Sequence, residues 1–320
     1  MALRTDQKES KAKKKYKVRN WKEYNRSLVN RGRITLWFEE DSIRQWYNKQ
    51  KSGRRGASNT YSDTAVQCGL TLREVFNLPL RAAEGLVSSL IELMKLKLDT
   101  PNYTTFCRRQ KDLKVNLPHR SKGKGLHIVV DSTGLKVYGE GEWKVRKHGV
   151  SKRRTWRKLH LAVEESTQEI LMSVLSTNDF KDSEVLEDLI DPIEEDIGQI
   201  SADGAYDTFD IHDFLKQKGI HASIPPQKNA KIKHPEMKES PLLRNRHIRE
   251  IEQIGRKEWK VKHNYHRRSL SETAMFRIKQ IFGNRLKNRD FEHQAVEAFI
   301  RCAALNKMTQ LGMPLSYPVI

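Results

Sequence analysis

The pattern of apolar and polar positions changes character near Pro118. From about residue 61 to 113 apolar residues recur at helical spacing. Ser62 or Asp63 can cap a first short helix through Cys68, and Thr71 a second over 72–76. Leu80, Leu86, Val87, Leu90, Ile91, Met94 and Leu98 mark one face of a long helix from Leu80 to Leu98. Pro101 fits the first turn of another helix over 102–113. Short helices with tight turns, the last bearing Arg108, Arg109 and Lys111, suit a helix-turn-helix unit or a generic helical domain.

Beyond Pro118 the period shortens towards two. Residues 126–131 (LHIVVD) read as a buried strand that ends in a carboxylate, and 156–165 with 169–177 as a strand pair. Residues 183–196 read as a helix, 197–207 as a short strand ending in Asp203, and 208–219 as a helix closed by Gly219. A strand over 221–226 and an amphipathic helix over 269–283 follow. This order predicts an α/β fold with a mixed sheet of about five strands flanked by helices. Four divisions result: a basic flexible arm (1–20), a helical domain (21–118), an α/β domain (119–310) and a C-terminal tail (311–320). Within the third, about 227–264 is basic and weakly patterned, and reads as an insertion or as DNA-contacting loops.

Composition narrows the class. A hydrophobic fraction of 37% with 6 Trp, 9 Tyr and 10 Phe excludes wholesale disorder. No run of 18 apolar residues is present, which excludes a helical membrane span. The basic N-terminus has no apolar core of a secretory signal, and Cys68, Cys107 and Cys302 are scattered, so a reduced, cytoplasmic setting is expected. The net charge of +20 points to a polyanionic partner, in the first instance nucleic acid.

The charge is unevenly spread. Residues 1–60 hold 17 basic against 6 acidic side chains, 121–160 hold 11 against 3, and 221–290 hold 18 against 7. Residues 161–220 reverse the sign, with 3 against 16. A protein that only coats DNA has no need of that acidic block. An enzyme holding divalent metal beside phosphates would concentrate carboxylates in this way, although most of the block suits a solvated helix face. The stretch 143–158 carries Lys144, Arg146, Lys147, Lys152, Arg153, Arg154, Arg157 and Lys158 without an acid. Interleaved with Trp143, His148 and Trp156, it suits a DNA-backbone surface or a solvated hairpin. Lys136 and Tyr138 follow Asp131 closely and suit the same work. Trp259 reads either as a core residue or as a platform for an unpaired base.

Three carboxylates stand out by position: Asp131 and Asp203 at strand ends, and Glu272 in the first turn of a late helix. Converging carboxylates at strand ends can hold two Mg²⁺ about 4 Å apart for an in-line phosphoryl displacement, with Mn²⁺ as a substitute. Each has a rival reading. Asp131 and Asp203 can close Asx-type turns, and Ser269-x-x-Glu272 also spells a capping box. Competing carboxylates are Asp179, Asp182, Asp207, Glu250, Glu252 and Glu258. No Cys or His cluster has zinc-ligand spacing.

From Trp21 onward the wording resembles the DDE transposases of bacterial insertion sequences, in the group named after insertion sequence 5. The resemblance is densest at VVDSTGLKVYGEGEWKVRKHGVSKRRTWRKLHLAV, TNDFKDSEVL and SADGAYDT. It closes on Tyr-x2-Arg-x3-Glu-x6-Lys, here Tyr265, Arg268, Glu272 and Lys279. The resemblance implies an RNase H-like catalytic fold with Asp131, Asp203 and Glu272 as catalytic metal ligands. It implies Arg268, Lys279 and Tyr265 at DNA phosphates, and recognition of terminal inverted repeats by the N-terminal helices. It further implies hydrolysis at the element ends, joining of the freed 3′-hydroxyl to double-stranded target DNA, and at least a homodimer on DNA. Two other classes fit the same residues: a silent DNA-binding repressor derived from a transposase, and an RNase H-like nuclease that cuts without joining.

Overall fold

The computed structural model describes residues 15–49, 59–120, 123–137, 156–232 and 243–319. Most of the expected basic surface (Tyr138, Trp143, Lys144, Arg146, Lys147, His148, Lys152, Arg153 and Arg154) lies outside the described residues, as do residues 1–14 of the expected arm.

Five helices occupy the N-terminal part: α1 (Trp21–Arg31), α2 (Glu40–Arg44), α3 (Asp63–Val75), α4 (Leu80–Leu93) and α5 (Tyr103–Gln110). Ser62 caps α3 by accepting the Ala65 N–H. The two short helices expected over 63–76 are one helix. Thr71 does not cap, because its hydroxyl donates to the Gln67 carbonyl one turn back and the helix runs on. Helix α4 stops before Leu98, since Lys95 turns left-handed (φ 52°) and the Leu96 N–H closes on the Ile91 carbonyl. Pro101 stands before Asn102, which caps α5 through Thr104 N–H.

The sheet is built from β2 (Leu126–Val137), β3 (Trp156–Glu164), β4 (Ile170–Thr177), β5 (Ile197–Ser201) and β6 (His221–Ser223), in the order β4-β3-β2-β5-β6. Strand β3 is antiparallel to β2 and β4, whereas β5 and β6 run parallel to β2. By chain order this is 3-2-1-4-5, the RNase H-like arrangement. A short β7 (Arg285–Leu286) pairs with the far end of β2 and adds a sixth strand to the expected mixed sheet of about five. Residues 15–18 (β1) and 316–319 (β8) pair with each other, so the ends read as arm and tail meet in a two-stranded ribbon.

The 183–196 helix is reduced to a 3-10 turn (Asp182–Val185) and α6 (Leu186–Ile190), which ends two residues before Pro192. Helix α7 (Phe209–Gln217) is capped by Thr208. The stretch expected to be loops holds α8 (Leu243–Lys262), broken at Gly255 (φ 81°). Its periodicity was hidden because the buried face carries Arg244, Asn245 and His247 beside Ile248 and Trp259. Helices α9 (Ser269–Phe282) and α10 (Phe291–Leu311) complete the chain.

Apolar residues cover the sheet on both faces, which is why Ile128–Val130 of β2 read as an apolar run before Asp131. Val129, Leu135, Leu159 and Leu161 share one core with Met275 and Ile278 of α9, with α10, and with Val66, Leu70 and Phe106 of the N-terminal helices. Ile128, Val130, Ile200, Ile211 and Leu215 form the other core. The fully buried Arg301 of α10 donates to Glu74 of α3 at 2.8 Å and pairs with Glu297, so the helical part and the sheet share one interior. Among the described residues no helix is long and apolar enough to cross a membrane.

Candidate active site

Period-two alternation puts Asp131 on the same face of β2 as Val129, Thr133 and Leu135, the face covered by α9. Asp131 does not end its strand: β2 continues to Val137, held by β3 and then β7. Helix α9 and Arg268, the residue before it, supply the partners. Arg268 Nη1 donates to Asp131 Oδ2 at 2.6 Å, and Nη2 donates to Glu272 Oε1 at 2.5 Å. Lys279 Nζ donates to Thr133 Oγ1 at 2.6 Å. One guanidinium thus bridges two carboxylates from different elements.

Asp203 lies just past β5 and starts a 3-10 turn (Gly204–Tyr206), with one oxygen accepting the Ala205 N–H at 2.8 Å. Asp131 accepts the N–H of its immediate neighbour Ser132 from inside β2. The Asx-turn reading therefore holds for one oxygen of Asp203 and fails for Asp131. The capping box does not form. Ser269 is already helical, its hydroxyl donates to the His266 carbonyl, and Glu272 turns to Arg268 instead. Burial pushes the Asp131 carboxyl up; Asp203 and Glu272 add to this, while the Ser132 N–H and Arg268 oppose it. Asp203 and Glu272 thus each lie within electrostatic reach of Asp131. Oxygen donors of this kind suit a hard divalent cation, and the residues present fit the metal expected from the sequence.

Tyr265 and Arg268 share a 3-10 turn (Tyr265–Arg268) that follows left-handed Asn264. The Arg268 guanidinium lies 5.9 Å from the Tyr265 ring centre and Lys260 Nζ 5.3 Å from it. The Tyr265 hydroxyl pKa is raised by burial, with Arg268 opposing. Burial lowers Lys279.

Of the competing carboxylates, Asp207 is fully enclosed. It accepts Arg244 Nε (2.8 Å) and Nη2 (3.1 Å), His212 Nε2 and the Gln227 N–H. Glu250 pairs with Lys262 and His263. The fold brings His247, Glu250 and His263 ligand atoms within 4.8 Å of one another, a grouping hidden in the sequence. Both His247 nitrogens are engaged, one accepting Trp259 Nε1–H and the other meeting the Ala222 carbonyl, so the group is a hydrogen-bonded buttress. Trp259 is a core residue, fully buried. Asp179, Glu252 and Glu258 are exposed. Asp182 is different: its carboxylate accepts Ser132 Oγ–H at 2.9 Å and Lys158 Nζ at 3.2 Å, and so is tied to the residue that follows Asp131.

Several expected DNA contacts have partners within the chain. Arg157 donates to Gln294 of α10 and lies over Phe291, Lys158 serves Asp182 and the Phe180 carbonyl, and Arg109 serves the Tyr61 carbonyl and Asp63. Lys136 lies 5.6 Å from the Trp156 ring centre. Arg108 is exposed on α5, at a cleft lined by Leu80, Arg81 and Tyr103.

Residues 122–307 match a family model described as "Transposase DDE domain", and residues 29–140 match a second of the same description. The chain belongs to the DDE transposase family. Its chemistry is DNA cleavage and strand transfer. Among solved structures, the transposase is similar to a piggyBac transposase synaptic complex with hairpin DNA, at 12% identity and a TM-score of 0.38, over 88% of this chain and 73% of that one. It is also similar to a Drosophila P element transposase strand transfer complex, at 14% identity and a TM-score of 0.28, over 57% of this chain and 42% of that one. At these scores the superpositions are loose, and the assignment rests on the family matches.

Proposed function

We propose that this protein is the transposase of a bacterial insertion sequence of the insertion-sequence-5 group. In this reading it acts on double-stranded DNA at the terminal inverted repeats. The observation that carries the reading is the Arg268 fork, which joins Asp131 of the sheet to Glu272 of α9 with Asp203 in electrostatic reach. Asp131, Asp203 and Glu272 are the residues that would hold two divalent ions, Mg²⁺ or Mn²⁺. Such ions supply Lewis-acid activation of the attacking oxygen and stabilisation of the leaving one.

The chain's own residues do the positioning. Arg268 and Lys279 flank Glu272 and neutralise terminal phosphates, and Tyr265 donates a hydrogen bond to one of them. Residues 21–118 recognise the repeats, and two copies bring two ends together in the bacterial cytoplasm. The decisive test is a nicking and joining assay on repeat-end DNA with Mg²⁺. Wild type is expected to cut and join, and Glu272→Gln to bind the same DNA without cutting. Binding without cutting by the wild type indicates a silent repressor, and cutting without joining indicates a nuclease.

A further inference from the structure

Two groups beside the trio have no role in that reading. Asp182 opens the 3-10 turn after β4, and its two oxygens take Ser132 Oγ–H at 2.9 Å and Lys158 Nζ at 3.2 Å. Lys158 also donates to the Phe180 carbonyl at 2.8 Å, so the acid is held in place from two strands and its own loop. Ser132 in turn gives its backbone N–H to Asp131 Oδ1 at 2.8 Å. A two-bond path therefore runs from Asp182 through Ser132 to a carboxylate of the trio.

The second group is Tyr206, three residues past Asp203 on the turn that packs against the Asp182 turn. Its side chain is 1% exposed, yet its hydroxyl has no hydrogen-bond partner among the described residues. A buried, unmet hydroxyl is costly when nothing occupies its site, so such groups mark an ordered water or ligand. Burial raises this hydroxyl, and Asp182, Asp131 and Asp203 add to the rise in that order. The unmet donor thus lies within electrostatic reach of Asp182, Asp131 and Asp203. Mg²⁺ dehydrates reluctantly and keeps several waters, which need outer acceptors and donors fixed by the protein.

We propose that Asp182 and the Tyr206 hydroxyl form the outer sphere of the divalent-cation site, holding its hydration waters and setting its affinity. They are positioning residues, acting through water and through Ser132 on Asp131. The inference rests on the metal role of the trio proposed above. It also separates two acids of the acidic block: Asp182 belongs to the cation site, whereas Asp207, locked to Arg244, does not.

The test uses the full chain without DNA and the shape-conserving variants Asp182→Asn and Tyr206→Phe. Mn²⁺ binding is read from the electron paramagnetic resonance signal of the free ion, with Asp131→Asn as control. The expected result is a 10–100-fold rise in the Mn²⁺ dissociation constant for Asp182→Asn. A rise of about 10-fold is expected for Tyr206→Phe, with circular dichroism unchanged. Raising Mg²⁺ should restore nicking of repeat-end DNA by both variants, which a merely structural defect would not allow. Wild-type Mn²⁺ affinity in either variant overturns that residue's role, and nicking that added Mg²⁺ does not restore overturns the proposal. If Asp131→Asn also binds Mn²⁺ as wild type does, the trio reading itself has failed.

Discussion

Replacing Arg244 by Met tests how the Asp203 turn is held. Asp207 is fully enclosed, and Arg244 is 8% exposed, with its guanidinium 4.7 Å from the Phe209 ring centre. Removing one partner of a buried pair costs about 3–5 kcal/mol, because the other charge stays behind. Here His212 and the Gln227 N–H remain on the carboxylate, and Met keeps most of the stem's packing, so the loss is placed at about 3 kcal/mol. At about 2 °C per kcal/mol for a chain of this size, Tm falls by about 6 °C. The pH dependence gives an independent reading. Burial pushes the Asp207 carboxyl up, but the bonds from His212, Arg244 and the Gln227 amide outweigh it and hold the group below its ordinary value. That stability is present at neutral pH and is lost as pH falls through the folded value, below about pH 4. Without Arg244 the carboxyl rises, so the variant's deficit is largest at neutral pH and shrinks on acidification. Urea unfolding followed by tryptophan fluorescence at two pH values measures it. A deficit below about 1 kcal/mol at pH 7, or one independent of pH, refutes the reasoning.

Asp131→Asn should abolish end cleavage and leave repeat binding within about 2-fold, as judged by gel shift at fixed salt. Lys279→Ala should weaken binding near the cut and reduce the slope of log affinity against log salt by about 1; an unchanged slope removes Lys279 from the phosphate contacts. Gly69→Ala should destabilise by about 1–3 kcal/mol in chemical unfolding, since its Cβ would sit 2.4 Å from the Phe106 ring. A thiol reagent should label exposed Cys107 rapidly, while Cys68 and Cys302, buried and pushed up to about 12, react only on unfolding.

The strands were legible in the sequence where side chains are apolar on both faces, as in Leu126–Val130. The continuation of β2 through Asp131, Ser132, Thr133 and Gly134 was not, because its pairing to β3 and β7 is supplied by distant segments. Thr71 looked like a cap because capping and back-bonding use the same hydroxyl, and only the packing around α3 decides between them. Likewise Glu272 spelled a capping box until Arg268 claimed its carboxylate. Asp182 read only as one of six competing carboxylates. Its partners Ser132 and Lys158 lie 50 and 24 residues away in sequence, and meet it only when β2 and β3 pair.

The basic stretch after β6 acquires a mechanical reason from these contacts. Strand β6 is at the edge of the sheet, where open backbone groups need covering. Helix α8 covers it: His247 meets the Ala222 carbonyl, Ser223 and Gln199 both donate to the His263 carbonyl, and Arg256 donates to the Pro226 carbonyl. Its Arg244 end secures the turn that carries Asp203, and its Trp259 end packs on Tyr265, where the turn leading to Arg268 and Glu272 begins. The positions of the second and third acids therefore depend on the same helix from opposite ends. The conformational freedom expected of DNA-contacting loops would loosen both. Arg246 and Lys257 are exposed on the outer face of α8, so charge reversal there is expected to weaken DNA binding in a gel shift without disturbing the trio.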